Sequence, residues 1–200
     1  MAKFTEIEKE KIREELREVA YRFFIDKGFK STSLEDITSA VGIAKSTFYV
    51  FFKSKEMLYM ELLEHEGEEI EKQVWPEVMA TEDIFLAINK YLNKMSLELE
   101  SKILTQRMVY DIEEYKLVCR KLDPEYVGSE YLRSVVPLME FIKSRQNSKE
   151  IIDEDPSVIA GVLRSALLIG SQKEDLQQYN YERVRDLLFQ GVANEITRHN

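Results

Sequence analysis

Residues 42 to 58 constrain this chain more than any other stretch of its sequence. The stretch reads GIAKSTFYVFFKSKEML and contains a glycine turn, a short helix whose polar face lacks acidic residues, and two lysines after that helix. It follows directly on another short segment with helical apolar periodicity. This layout is typical of a helix-turn-helix, in which the second helix reads DNA from the major groove.

The composition favours an all-α fold. A chain of 200 residues with 44% hydrophobic residues can bury a core, while seven glycines and four prolines are too few for a turn-rich β protein. The lone Cys119, expected to be a small core residue, cannot form an internal disulfide. We find no membrane-length apolar run and no N-terminal signal segment, which fits a cytoplasmic protein without a membrane partner.

The charge is distributed unevenly along the chain. The total is −9, yet residues 1 to 55 hold eleven Lys/Arg against nine Asp/Glu, a net charge of +2, and the remainder carries −11. A weakly basic head can dock on phosphates, whereas an acidic rear discourages indiscriminate binding to nucleic acid. The pattern therefore indicates a few specific phosphate contacts from the head.

Three helices are predicted in the N-terminal head. The first has an apolar stripe and ends near Gly28, and the second is capped by Thr32 or Ser33. The third covers about 45–52 and buries Phe48 together with a second phenylalanine four residues later.

The rear of the chain is predicted to add six helices, giving about nine in all. They are a fourth from residue 55 or 56 to Trp75-Pro76, a fifth capped by Thr81, a sixth over 103–122, a seventh over 124–146 that Pro137 kinks, an eighth from Asp155 to about 174, and a ninth from Asn180 to the chain end. The ninth has a continuous apolar face, and the eighth carries small residues that allow close helix approach. These two helices are expected to form a four-helix bundle with a second copy, through Gly161, Ser165, Ala166, Gly170, Val184, Leu188 and Val192.

Residues 10 to 60 resemble the TetR, or tetracycline-repressor-like, family of bacterial transcriptional regulators. The family's spacing is matched by Gly28-Phe29, Thr32-Ser33, Ile37, Gly42-Ile43, Lys45, Thr47, Tyr49, Phe52, Ser54-Lys55-Glu56 and Leu58. Two positions depart from the pattern: Ser46 stands where the family commonly has glycine, and Ala44 where a small hydroxyl residue is frequent. Beyond the head, only helix number, length and order agree.

The resemblance implies a DNA-binding segment at 1–55, a regulatory and dimerisation segment at 56–200, and a homodimeric repressor on a palindromic operator. It implies phosphate contacts from Thr32, Ser33, Thr47, Tyr49, Lys53 and Lys55, with Lys45 and Ser46 near base edges. It also implies a small-molecule effector in the rear segment, for which candidate lining residues are Trp75, Tyr91, Met95, Met108, Tyr110, Tyr115, Phe141 and Arg164. Neither enzyme activity nor a cofactor is expected.

Two other interpretations remain open at this point. The polar third helix can be the solvated face of a protein-binding module, with Lys53 and Lys55 as loop charges that only aid solubility. The second is a helical ligand-binding or metal-dependent protein whose head no longer binds DNA. Its support is the shared helix face of Glu61, His65 and Glu69, although the second histidine of a zinc-protease motif is missing.

Overall fold

The computed structural model describes residues 4–198, without the side chains of 131, 132 and 134. Within this range it contains eleven α-helices, two short 3₁₀ segments and no strand, which confirms the all-α prediction. The helices are α1 Glu6–Lys27, α2 Leu34–Val41, α3 Lys45–Phe48, α4 Lys55–Met79, α5 Ile84–Ser101, α6 Ile103–Tyr110, α7 Ile112–Cys119, α8 Pro124–Asn147, α9 Pro156–Leu167, α10 Lys173–Leu176 and α11 Tyr181–Ile196. The 3₁₀ segments are Leu168–Gln172 and Gln177–Tyr179.

Two predicted helix boundaries are wrong for local reasons. Helix α4 continues through Pro76, because the fully buried Val74 and Val78 on either side of the proline keep this part of the helix packed. The predicted sixth helix is two helices, α6 and α7, separated at Asp111. The Asp111 carboxylate accepts a hydrogen bond from the backbone N–H of Glu113 and so caps a new helix.

Three other ends also differ from the prediction. Asp83 rather than Thr81 caps α5, since the Thr81 hydroxyl donates to the Glu77 carbonyl at the end of α4 instead. The predicted eighth helix stops as α-helix at Leu167 and continues as 3₁₀ turns and α10. Helix α3 starts at Lys45 as predicted but is only four residues long, because after Phe48 the chain continues in turns, in which the Val50 and Phe51 N–H groups donate to the Thr47 and Phe48 carbonyls three residues back.

The chain forms two compact units, each with its own packing. The first comprises residues up to 66 together with 103–127, and the second comprises 67–102 together with 128 onward. The predicted division at residue 55 concerns function and stays a prediction, whereas the packing units assign α6 and α7 to the same unit as the helix-turn-helix.

The first unit has an aromatic core under its N-terminal helices. The rings of Phe24, Phe29 and Tyr59 lie with centroids 5.3 to 5.6 Å apart. A second pair, Phe48 and Phe52, has centroids 5.6 Å apart and is almost completely buried. These contacts anchor α3 and its following turn to α1 and α4 within one core.

The second unit is built around α5, α9 and α11, which pack on one another. Each contributes an inward stripe of buried residues: Ile88, Leu92 and Leu99 from α5, Ile159 and Leu163 from α9, and Phe189 and Ala193 from α11. The predicted caps of α9 and α11 are confirmed, since Asp155 and Asn180 accept hydrogen bonds from the first-turn backbone N–H groups of Ser157 and Arg183.

Candidate nucleic-acid interface

A reciprocal cap and a glycine turn determine the geometry of the helix-turn-helix. The Ser33 hydroxyl accepts from the Asp36 N–H at 3.0 Å, and the Asp36 carboxylate accepts from the Ser33 N–H at 2.9 Å. Gly42 then adopts φ +78°, a left-handed conformation that ends α2 without the steric cost of a Cβ atom. The chain is thereby turned into α3 within two residues.

Helix α3 forms an exposed tip on a buried base. Phe48 has no exposed surface, while Tyr49 and Val50 beside it are 55% and 62% exposed. Backbone hydrogen bonds from the Val50 N–H to the Thr47 carbonyl and from the Phe52 N–H to the Phe48 carbonyl form helix-like turns after the end of α3. The buried phenylalanines therefore anchor the tip to the core, while its outer atoms remain accessible.

Most of the predicted DNA-contacting side chains lie at or beside this tip. Lys45, Ser46, Tyr49 and Lys53 are exposed and Thr47 is half-buried, while Ser33 is exposed at the start of α2. Their contacts with DNA remain predictions. Val50 is also exposed at this tip, and an exposed apolar side chain there has the chemistry to contact a thymine methyl group.

Lys45 is paired with an acidic side chain that sequence reasoning did not connect to it. Its Nζ lies 2.6 Å from Oε1 of Glu35 on α2, and both side chains are more than half exposed. The hydrogen bond raises the pKa of Lys45 and lowers the pKa of Glu35, so both groups stay charged around neutral pH. Lys45, the first residue of α3, is thus part of an ion pair in the absence of DNA.

The predicted phosphate contact from Thr32 is wrong for its side chain, which is completely buried. The Thr32 hydroxyl lies 2.9 Å from the Gly28 carbonyl and 3.1 Å from the Phe23 carbonyl, and donates its proton to these acceptors. It ties the end of α1 to the loop before α2, so its role is to hold that loop.

Lys55 also has an internal role. Its Nζ donates to the carbonyls of Phe29 at 2.8 Å and Thr32 at 2.5 Å, and it lies 4.0 Å from the centroid of the Phe29 ring. Burial lowers the pKa of Lys55. With two of its three donors used, Lys55 anchors the α1–α2 loop to the start of α4, and at most one donor is left for a phosphate.

Replacement of Lys55 by methionine is expected to lower the free energy of unfolding by about 1 to 2 kcal/mol. The methionine keeps the aliphatic stem but leaves two loop carbonyls without their charged donor. Urea denaturation measures the change, with Lys53→Met, an exposed lysine two residues earlier, as the matched control. Equal stability of the two variants would show that Lys55 is not an anchor.

A hydrogen-bonded network from α6 and α7 supports the end of α1 and the loop that follows it. The Arg107 guanidinium donates to the carbonyls of Phe24 at 2.6 Å and Ile25 at 2.7 Å. Glu114 accepts from the Phe29 N–H at 2.9 Å and from the Tyr59 hydroxyl at 3.1 Å. Burial, followed by the Glu114 charge, raises the pKa of Tyr59, so its hydroxyl remains a donor.

A second carboxylate, which is buried, fixes the start of α6. Glu66 on α4 is 3% exposed and accepts from the backbone N–H of Thr105 at 2.7 Å and the Thr105 hydroxyl at 2.8 Å. It also accepts from the Tyr21 hydroxyl of α1 at 2.8 Å. Sequence reasoning missed both carboxylate networks because the paired residues are 39 to 85 positions apart and no local pattern connects them.

The structure brings together only part of the predicted effector pocket. In the second unit, the Trp75 ring lies 5.3 Å from Tyr91 and 5.8 Å from Phe141, between centroids. Of the other predicted residues, Met95 is half-buried on α5 and Arg164 is exposed on α9, Met108 and Tyr115 pack against the core of the first unit, and Tyr110 is half-buried at the end of α6. One pocket including all eight is therefore not supported.

An apolar groove in the second unit coincides with the predicted dimerisation helices. It encloses about 420 Å³ and is lined by Ile152, Glu154, Val158, Ile159, Val162, Leu187, Leu188, Gly191, Val192, Glu195 and Ile196. Among the predicted residues, Gly161, Ser165 and Leu188 are exposed, and Gly170, Val184 and Val192 are half-buried. Ala166 is wrong as a contact with a second copy, because it is 4% exposed and faces the interior of its own unit.

The structure gives no support to the metal-binding interpretation. Glu61 lies within 2.7 Å of the Arg13 guanidinium and 2.5 Å of that of Arg17, and Glu69 is paired with Lys102. No group of three or more potential ligands suited to a metal occurs in the described part of the chain. Between residues 4 and 198, no helix is both long and apolar enough to cross a membrane.

The fold and the exposed tip define an all-α protein with an N-terminal helix-turn-helix. Residues 16–62 match the family model described as bacterial regulatory proteins, tetR family, so this segment is similar to the helix-turn-helix of that family. A curated relative, the uncharacterized HTH-type transcriptional regulator YerO of Bacillus subtilis, is 40% identical over 53 residues, which are 26% of this chain and 18% of YerO. The chain spans less than a third of the length of the curated relatives it matches.

Solved structures share the fold over nearly the whole chain. A TetR-family transcription regulator from Shewanella has 17% identity and a TM-score of 0.69, covering 94% of this chain and 99% of the other. AibR in complex with isovaleryl coenzyme A and operator DNA has 15% identity and a TM-score of 0.62, covering 93% and 98%. At these identities the likeness concerns the fold alone.

Proposed function

We propose that this protein is a homodimeric TetR-like transcriptional regulator that acts as a cytoplasmic repressor. It binds a palindromic operator through the α3 tip of each subunit and is released when a small molecule binds in the segment 56–200. The observation that carries the proposal is the exposed tip of α3, which stands on the buried Phe48 and Phe52 inside a TetR-family segment.

The chemistry of the tip supports DNA as the partner. Residues 37 to 55 contain no acidic residue, and Lys45, Ser46, Tyr49 and Lys53 present ammonium and hydroxyl groups to solvent. Hydroxyl and ammonium groups position a protein on phosphates, while a lysine near the start of a recognition helix can donate to guanine O6 or N7. The tip thus combines positioning and base-reading groups.

The groove on α9 and α11 supports a second copy of the chain as the other partner. Leu187 and Leu188, which line it, are exposed, and open space lies beyond the Cα atoms of Gly161 and Gly191. An apolar helix pair with glycines at its surface can pack closely on its symmetry mate. Dimerisation would set the two recognition helices about 34 to 36 Å apart, one turn of B-DNA or a multiple of it.

A small organic molecule is the proposed effector. The Trp75, Tyr91 and Phe141 rings form an aromatic cluster of the kind that lines ligand sites, in which Tyr91 and Phe141 are buried, and AibR, which shares the fold, is described in complex with isovaleryl coenzyme A. Such an effector needs a difference in affinity between two conformations, and couplings of about 1 to 3 kcal/mol are usual.

In vitro selection from random duplexes tests the DNA-binding proposal. We expect an inverted repeat whose half-site centres lie about 10 base pairs, or a multiple, apart. Lys45→Met is expected to change the preferred base at one position of each half-site and to weaken binding to the wild-type site by about 1 to 3 kcal/mol.

Lys72→Met serves as the matched control, because Lys72 is an exposed lysine of α4 in the second unit. It should leave the selected sequence unchanged. Failure to enrich any duplex at low salt would contradict the proposed function, and an unchanged consensus with Lys45→Met would remove Lys45 from base reading.

A further inference from the structure

The ion pair between Glu35 and Lys45 places a carboxylate beside the DNA-reading tip. The two charged groups are 2.6 Å apart and join α2 to the first residue of α3. The neighbouring acid, Asp36, is already engaged in the Ser33 cap. Because residues 37 to 55 contain no acid, Glu35 is the carboxylate that sets the charge at the base of the tip.

We propose that Glu35 is a specificity-determining residue. It acts as the internal counter-ion of Lys45 and thereby keeps the Lys45 ammonium group from binding the phosphates of unrelated DNA. The inference rests on the proposed DNA binding. Glu35 Oε1 engages one of the three N–H donors of Lys45, and two remain for the O6 and N7 acceptors of a guanine. In a non-specific complex no such guanine is in position, and Lys45 stays paired with Glu35. Because Lys45 then neutralises no phosphate, it releases no counter-ion from the DNA.

The geometry explains why a lysine benefits from such a partner. A lysine is a point charge on a flexible four-carbon stem, so without a partner it reaches whichever phosphate is nearest. Contact with Glu35 sets the position of Nζ relative to α2, whose start is closed by the reciprocal Ser33–Asp36 cap. The Glu35 carboxylate also repels phosphates that approach the same place. Both effects weaken non-specific binding more than specific binding.

The test measures binding of wild type, Glu35→Gln, Lys45→Met and the double variant to a labelled duplex of scrambled sequence. Anisotropy is recorded between about 50 and 200 mM salt. For Glu35→Gln we expect the slope of log K against log salt to steepen by about 0.9, with binding about threefold to tenfold tighter at low salt. In the Lys45→Met background the change in slope should be absent, since the freed cation no longer exists.

The matched control is Glu77→Gln, which removes the same charge from an exposed ion pair with Lys94 in the second unit. It should leave the slope unchanged. On a selected operator, Glu35→Gln should reduce the ratio of specific to non-specific affinity by about threefold to tenfold. Thermal melting by circular dichroism verifies that all variants remain folded.

The outcomes separate this inference from the function on which it rests. If Glu35→Gln leaves the slope of log K against log salt unchanged, or steepens it equally with and without Lys45, the proposed role of Glu35 is overturned. Neither result contradicts the proposed DNA binding. If the wild type binds neither the scrambled duplex nor any selected one, the proposed function fails and this inference fails with it.

Discussion

Replacement of Glu114 by alanine is expected to lower the free energy of unfolding by about 3 kcal/mol. The side chain is 18% exposed and accepts hydrogen bonds from the Phe29 N–H and the fully buried Tyr59 hydroxyl. Loss of the carboxylate leaves both donors without an acceptor, and each buried unsatisfied group costs about 1 to 3 kcal/mol. It also removes the negative charge 3.6 Å from the Arg107 guanidinium.

Urea denaturation measures this loss, and Glu113→Ala provides the control on the same helix. Glu113 is 70% exposed and pairs with Lys116, so its replacement should change stability by about 0.5 kcal/mol or less. Glu114→Gln should fall between the two, because one amide oxygen can still accept from Phe29. Equal stability of Glu114→Ala and Glu113→Ala would contradict the network.

Amide hydrogen exchange locates the effect of Glu114→Ala within the fold. The Phe29 N–H should exchange faster in Glu114→Ala by a factor larger than the global loss of stability explains, because its direct acceptor is gone. The same loop carries the carbonyls that bind Lys55, so its loosening should also weaken DNA binding. Uniform acceleration across all amides would show that the effect is not local.

Replacement of Leu188 by glutamate is expected to raise the dissociation constant of the proposed dimer about a hundredfold or more. Leu188 lines the apolar groove of α9 and α11 and is 38% exposed. In a twofold-symmetric interface the substitution occurs twice, and each copy would bury a carboxylate without a partner. Because the side chain is exposed in the single chain, the subunit itself should still fold.

Sedimentation at micromolar concentration, with and without duplex, measures this change. Leu97→Glu, at a 58% exposed leucine of α5 in the same unit, should leave the association state unchanged. Operator affinity should fall together with dimerisation, since a single recognition tip makes half the contacts. A wild-type protein that is monomeric under all these conditions would contradict the dimer, and a fully dimeric Leu188→Glu would place the interface elsewhere.

The helix-turn-helix could be predicted because its determinants lie close together in the sequence. The Ser33–Asp36 cap spans three residues, Gly42 directly follows the helix it ends, and Phe48 and Phe52 are one helical turn apart. The caps of α9 and α11 are equally local. The caps at Asp83 and Asp111 are not evident from the sequence, because Thr81 is an equally suitable capping residue two positions before Asp83 and helical apolar periodicity continues through Asp111.

The amino-acid sequence by itself determined the all-α class, the position of the recognition helix and the segment that resembles the TetR family. Only the tertiary structure decided that Thr32 and Lys55 hold a loop, that Glu114 supports it, and that Ala166 faces inward. The physical reason is distance along the chain. Caps and turns depend on backbone groups a few residues away, whereas the partners of Lys55 and Glu114 are 23 to 85 residues distant and meet them only once the helices have packed.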